Sequence, residues 1–196
     1  MSTTRTLGVL LAGGESRRMG RDKHALTLDD GRTFARACLD TLTPFVARTV
    51  VVGHARGLPR DGSVSFVDDD AHVAGPLGGV LAALHDARDD EARLLVLACD
   101  APRVSSALLA RLLACHDAGA RAVACVDGEG RVWPLPCVID VRAARACVDE
   151  IVQVDSPGVV HLLRALAFAS CAIDDDARAR VQGVNTPEEL RALTNP

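Results

Sequence analysis

Residues 10–26 read LLAGGESRRMGRDKHAL, an apolar run followed by two adjacent glycines, three arginines and a lysine. At Gly13 and Gly14 a backbone without side chains can approach a ligand closely and aim amides at it. Arg17, Arg18, Arg21 and Lys23 surround the same space with positive charge. Together these are the parts of a phosphate cradle, although neither GxxxxGK[ST] nor GxGxxG is present. Of the 22 basic residues in the chain, 21 are arginine and only Lys23 is lysine. An arginine presents a rigid planar fork, whereas a lysine presents a compact charge on a flexible stem. A site that must follow a phosphoryl group through a change of geometry has reason to keep the lysine. The alternative is a glycine turn at a strand end with solvated arginines.

A second candidate is Asp100, which ends the apolar run LLVLACD. A magnesium ion needs one or two carboxylates and completes its shell with substrate phosphates and water, so a single aspartate at a strand tip suffices. The competing reading is a turn or capping aspartate, with Pro102 two residues on. In VNTPEEL (184–190), Thr186, Pro187 and Glu189 fit the N-cap, first and third positions of a helix with a capping box. Asn185 is left over, either as a second metal ligand or as a hydrogen-bonding group of the turn. In AGPLGGV (74–80), Pro76 fixes a turn, and Gly78 and Gly79 allow close approach to the backbone.

These groups need a frame. Strand-like runs fall at 6–11, 48–53, 63–67, 93–99 and 121–126, with helical patterns near 33–43, 77–88 and 104–117. Alternating strands and helices, with the strands at 6–11, 48–53 and 93–99 apolar almost throughout, predict a doubly wound α/β fold with a mostly parallel sheet. Such sheets bind ligands beyond the carboxyl ends of their strands. Further on, the two prolines of GRVWPLPCVID (130–140) suggest an edge strand or an extended segment. Helical patterns near 141–150 and 158–167 precede a short strand near 168–173. The DDD runs at 68–70 and 174–176 read as solvated turns. Length and pattern fit one domain over 1–196, with no internal repeat or linker.

Composition removes several classes of function. The net charge of −4 offers no electrostatic footprint for nucleic acid. No apolar run is long enough to span a membrane, and the first residues read as a strand, not a signal peptide, so the cytoplasm is the expected compartment. The seven cysteines are odd in number and widely spaced, with no CxxC; they read as small apolar residues in a reducing compartment. The six histidines are scattered, so a transition-metal site is not expected.

LAGGESRRMGRDK resembles the LAGGxSxRMGxDK signature of the molybdenum cofactor guanylyltransferases, which belong to a superfamily of nucleotidyltransferases with a Rossmann-like fold. DDDAHVAGPLGGV, LACDAP and VNTPEEL resemble further motifs of that family, in the same order along the chain. The double glycine is closer to this family than to the cytidylyltransferases of the same cofactor, which show LAAG. The resemblance implies transfer of GMP from GTP to molybdopterin carrying molybdenum, with Mg2+ as cofactor and pyrophosphate released. It also implies that Leu11, Ala12, Gly13 and Gly14 contact the nucleotide, that Lys23 and Arg18 meet its phosphates, and that Asp68 binds the nucleotide. Asp100 would hold the metal, with Asn185 as its second candidate ligand. Residues 1–120 would form the nucleotide-binding half and 121–196 the acceptor half. Contact with other proteins of molybdenum cofactor synthesis would follow. A phosphate nucleophile is already ionised at neutral pH, so the lack of a catalytic histidine or serine constellation fits this chemistry. Other acceptors, such as a sugar phosphate, the cytidylyl reaction on the same cofactor, and a non-catalytic nucleotide-binding module are the alternatives.

The chain departs from the family pattern at three places. Gly53 and Gly183 stand where the family carries asparagine. SPGVVHLLRALA (156–167) replaces a basic segment associated with the pterin side, and its Gly158, Val159, Val160 and His161 supply little charge. Arg131, Arg142, Arg145 and Arg164 are the arginines of this half that could compensate.

Overall fold

The computed structural model describes residues 5–13, 26–53, 58, 62, 64–70, 72–184 and 189. The strands are β1 (Arg5–Leu11), β2 (Arg48–Val52), β3 (Ser65–Val67), β4 (Glu91–Ala98), β5 (Ala122–Val126), β6 (Val132–Asp140) and β7 (Ala169–Ala172). They form one sheet in the order β3-β2-β1-β4-β6-β5-β7, in which β6 alone runs antiparallel to its neighbours. The helices are α1 (Phe34–Leu42), α2 (Pro76–Asp86), α3 (Ser106–Asp117), α4 (Val141–Ile151), α5 (Val159–Ala165) and α6 (Asp175–Val181).

Both faces of the sheet are covered. Leu7, Val9, Leu94 and Val96 join one apolar core with α2, α4 and α5, while Leu10, Leu95 and Leu97 join another with α1 and α3. Successive side chains of a strand point to opposite faces, so a strand covered twice must be apolar at every position. That is why the sequences of β1, β2 and β4 run apolar without alternation. Because β6 alone is reversed, the carboxyl ends of the other six strands and the start of β6 share one edge of the sheet.

Two local expectations change. The stretch with two prolines is an inner strand, β6, between β4 and β5. Its pairing with β4 stops at Cys137↔Val96, and its register with β5 jumps from Ala124↔Cys137 to Cys125↔Trp133. Pro134 and Pro136 fall in that bulge, where a residue without an amide hydrogen breaks no ladder bond. The run at 174–176 is a helix start. Asp174 caps α6, its side chain accepting from the Ala177 amide at 2.8 Å. Asp175 and Asp176 lie in the first turn and Arg178 and Arg180 in the last, the order the helix dipole favours. Among the described residues, no helix is long and apolar enough to cross a membrane.

At the opposite, amino edge, the Arg48 guanidinium joins three elements. It donates to both carboxylate oxygens of Glu91 at 3.0 and 2.8 Å, and to Asp86 Oδ2 at 2.6 Å. The Glu91 side chain is 3% exposed. Burial alone would raise its pKa, but the bonds from Arg48 and from the Arg88 amide outweigh it and hold the carboxyl below its usual range. A depressed carboxyl stabilises the fold above the unfolded-state pKa, and that contribution is lost as pH falls through the folded value. Glu91→Gln should therefore cost about 2 kcal/mol at neutral pH, because it leaves the partly buried Arg48 with Asp86 as its one remaining charge partner. Urea unfolding should show the gap between wild type and variant closing below about pH 4.

Candidate active site

The end of β1 is clamped from both sides. The Ala12 amide donates to the Val52 carbonyl at 2.8 Å, and the Cys99 amide donates to the Leu11 carbonyl at 3.0 Å. The sheet thus uses the Ala12 amide, and any backbone donor for a ligand must come from Gly13 onward. Leu11 and Ala12 are buried and Gly13 is exposed at the tip. Gly14, Arg18, Lys23 and Asn185 lie outside the described residues.

Three glycines make room for one carboxylate beside this tip. A Cβ built on Gly13 would overlap Asp69 Oδ2, one on Gly79 would lie 3.2 Å from Asp69 Oδ1, and one on Gly53 would lie 3.1 Å from Asp69 Oδ2. Gly53 also has φ +89, and a Cβ there would lie 2.5 Å from the Gly13 Cα. The loop end therefore rests directly on the backbone of Gly53, and an asparagine side chain has no room at that position. Gly79 belongs to α2, whose N-cap is Gly75 with Pro76 in the first turn. A Cβ on Gly79 would come 2.7 Å from Leu11 Cδ2, so the glycines of GPLGG allow the helix start to press against the strand tip.

Asp68 and Asp69 are both exposed, and the carboxylate beside Gly13 belongs to Asp69. Alternation carried a signal for this. Val67 packs on the face covered by α2, and two residues further the chain returns to that face at Asp69.

Asp100 is half-buried on the other side of the tip. A Cβ on Gly183 would lie 2.7 Å from its Cγ and 2.7 and 2.8 Å from its two oxygens, so the carboxylate rests against a bare Cα. The Val184 amide donates to the Asp100 carbonyl at 2.9 Å. This bond brings the segment that leads to Asn185 against the end of β4. Nearby Cys38 sits beneath the site. Burial first, then Cys99 and Asp100, push its thiol well above the usual range, so it acts as a buried apolar group and not as a nucleophile.

The family description "MobA-like NTP transferase domain" matches residues 8–171. The probable molybdenum cofactor guanylyltransferase of Opitutus terrae is 35% identical over 188 residues, covering 93% of this chain and 91% of its own. The molybdenum cofactor guanylyltransferase of Ectopseudomonas mendocina is 34% identical over 193 residues, covering 95% and 90%. The chain belongs to this nucleotidyltransferase family. Its fold matches molybdopterin-guanine dinucleotide biosynthesis protein A from Archaeoglobus fulgidus at a TM-score of 0.71, with 24% identity and 96% of each chain covered. A protein from Mycobacterium tuberculosis, solved as a complex with manganese, matches at 0.69 with 22% identity, covering 98% of this chain and 99% of its own.

In this MobA-like transferase, SPGVVH has a structural task. His161 Nδ1 accepts the Gly158 amide at 3.1 Å and closes the first turn of α5. The imidazole therefore holds the helix start at the carboxyl edge.

Gly183→Ala tests the contact with Asp100. The new methyl must displace the carboxylate; on the expectation that Asp100 holds the metal, the divalent ion needed for half-maximal turnover should rise by about tenfold, roughly 1.4 kcal/mol. The unfolding midpoint should move by only a few degrees. Metal titrations of turnover, run beside thermal melts, check both.

Proposed function

We propose that this transferase moves GMP from GTP to molybdopterin carrying molybdenum, releases pyrophosphate, and uses Mg2+ to do so. The observation that carries the reading is the bracketing of the β1 tip by two carboxylates, Asp69 against Gly13 and Asp100 against Gly183. The names of the guanylyltransferases it resembles supply the base and the acceptor.

Asp100 suits a hard divalent ion, being an oxygen donor at a strand end where an open α/β sheet holds its ligands. Bound there, magnesium would neutralise charge on the triphosphate. The chain's own residues do the rest by binding and orientation. Gly13 and Gly14 admit the nucleotide to the backbone, Asp69 stands where a donor edge of the nucleotide would meet it, and Lys23 with Arg18 would carry the phosphates. The acceptor phosphate attacks the α-phosphorus already ionised, so no side chain has to remove a proton from it, and positioning with charge neutralisation carries the catalysis. The seven thiols, none in a disulfide, suit the reducing cytoplasm, where we place the reaction.

A thermal-shift panel of GTP, CTP, ATP and UTP, with and without Mg2+, reads the nucleotide directly. A ligand present at 100 times its Kd stabilises the fold by about 2.7 kcal/mol, so GTP with Mg2+ should raise the midpoint by about 5 °C or more, above the other three. Asp100→Asn should remove the magnesium dependence and most guanylyl transfer. A larger shift with CTP, or transfer to a sugar phosphate and not to molybdopterin, would replace this reading with one of its rivals.

Lys23→Arg keeps the charge and changes its shape. Turnover and kcat/KM should fall together, because the lost interaction belongs mainly to the transition state. Steady-state kinetics of pyrophosphate release measure both, and unchanged values would reduce Lys23 to a generic cation.

A further inference from the structure

The acceptor half needs a positive group, and of its eight arginines the fold sorts the four named above. Arg142 and Arg145 lie on α4, which leaves the sheet at Asp140, paired with Arg93 near the amino end of β4. Arg145 donates to the Leu84 and Ala87 carbonyls at 2.7 Å each, closing the end of α2. Arg164 sits in the last turn of α5, which leads to the start of β7 at the same amino edge. Arg131 differs from these three. It lies in the turn between β5 and β6, at the carboxyl edge that carries Asp100.

That turn is built to hold Arg131 in place. Asp127, only 9% exposed, accepts the Arg131 amide at 2.9 Å and the Glu129 amide at 3.1 Å on one oxygen. Its other oxygen accepts the Trp133 indole N–H at 3.0 Å. The guanidinium carbon of Arg131 lies 4.5 Å from the centroid of the Trp133 ring, while the residue itself is exposed. An exposed planar cation is thus backed by an aromatic plane that is itself held by a hydrogen bond.

Distance decides what this group can meet. β5 stands two strand spacings from β4, about 10 Å. The reacting phosphate of the acceptor belongs beside Asp100, so the part that reaches the turn is the far end of the molecule. We propose that the Arg131 guanidinium, held over Trp133, is the shelf on which the planar heteroaromatic ring of the acceptor stacks. The assignment rests on the guanylyl-transfer reading for its acceptor, and on the turn's own geometry for its place.

Trp133 is the only tryptophan, and the chain has no tyrosine, so intrinsic emission reports on this shelf alone. Titrating the full chain with molybdopterin should quench the emission saturably, with a midpoint near the acceptor KM, whereas GTP with Mg2+ should leave it unchanged. Arg131→Ala should raise the acceptor KM by about tenfold while the GTP KM holds. Arg131→Lys, which keeps the charge without the plane, should recover less than half of that loss. Two results would overturn the shelf: no quenching by molybdopterin in a chain that guanylylates it, or an unchanged acceptor KM in Arg131→Ala. If the wild type transfers GMP only to another phosphate acceptor, the molybdopterin part of that reading fails on its own, and the same titration with that acceptor decides the shelf.

Discussion

The hydrogen bonds that clamp Leu11 and Ala12 between Val52 and Cys99 set the position of everything else at the carboxyl edge. They extend the sheet one step beyond β1 on both sides, so the backbone enters the glycine loop from a fixed point. Gly13 can then rest on Gly53, α2 can press Gly79 onto Leu11, and Asp69 can fill the space between them. Close packing of this kind leaves little freedom. A methyl group at any of these positions meets backbone or a carboxylate within contact distance.

The two departures from the family's asparagine pattern have one physical explanation. Gly53 lies under the Gly13 backbone and Gly183 under the Asp100 carboxylate. In each case the volume of the missing side chain is taken by a group of the site itself.

Much of the frame was legible in the sequence because burial on two faces leaves an unmistakable trace. From Leu7, Val50 and Leu94 onward, β1, β2 and β4 carry no polar side chain, and Asp100 follows such a run, so its place at the carboxyl edge followed from pattern. What misled was local chemistry with two meanings. Prolines in β6 suggested an edge, yet a bulge accommodates them inside the sheet. The run Asp174–Asp176 looked like a turn, although the arginines at 178 and 180 complete the charge order of a helix. Motif spacing pointed to Asp68, and the carboxylate that meets Gly13 and Gly79 is the next one along, Asp69. The turn that holds Arg131 over Trp133 depends on Asp127 gathering three donors, an arrangement that spacing alone does not reveal.

The bond between the Val184 amide and the Asp100 carbonyl has a bearing on how the molecule is assembled. It joins the end of a central strand to a segment that follows β7 and α6. Contacts between residues so distant in sequence are costly to close and form after local ones. During synthesis β1, β2 and β4 can associate while the second half is still emerging from the ribosome, with Asp100 already at the strand end. The carboxylate receives its glycine wall only after β5, β6 and β7 have joined the sheet. Newly made chains would therefore pass through a stage in which the core is formed but the Asp100 side of the site is still open on one flank.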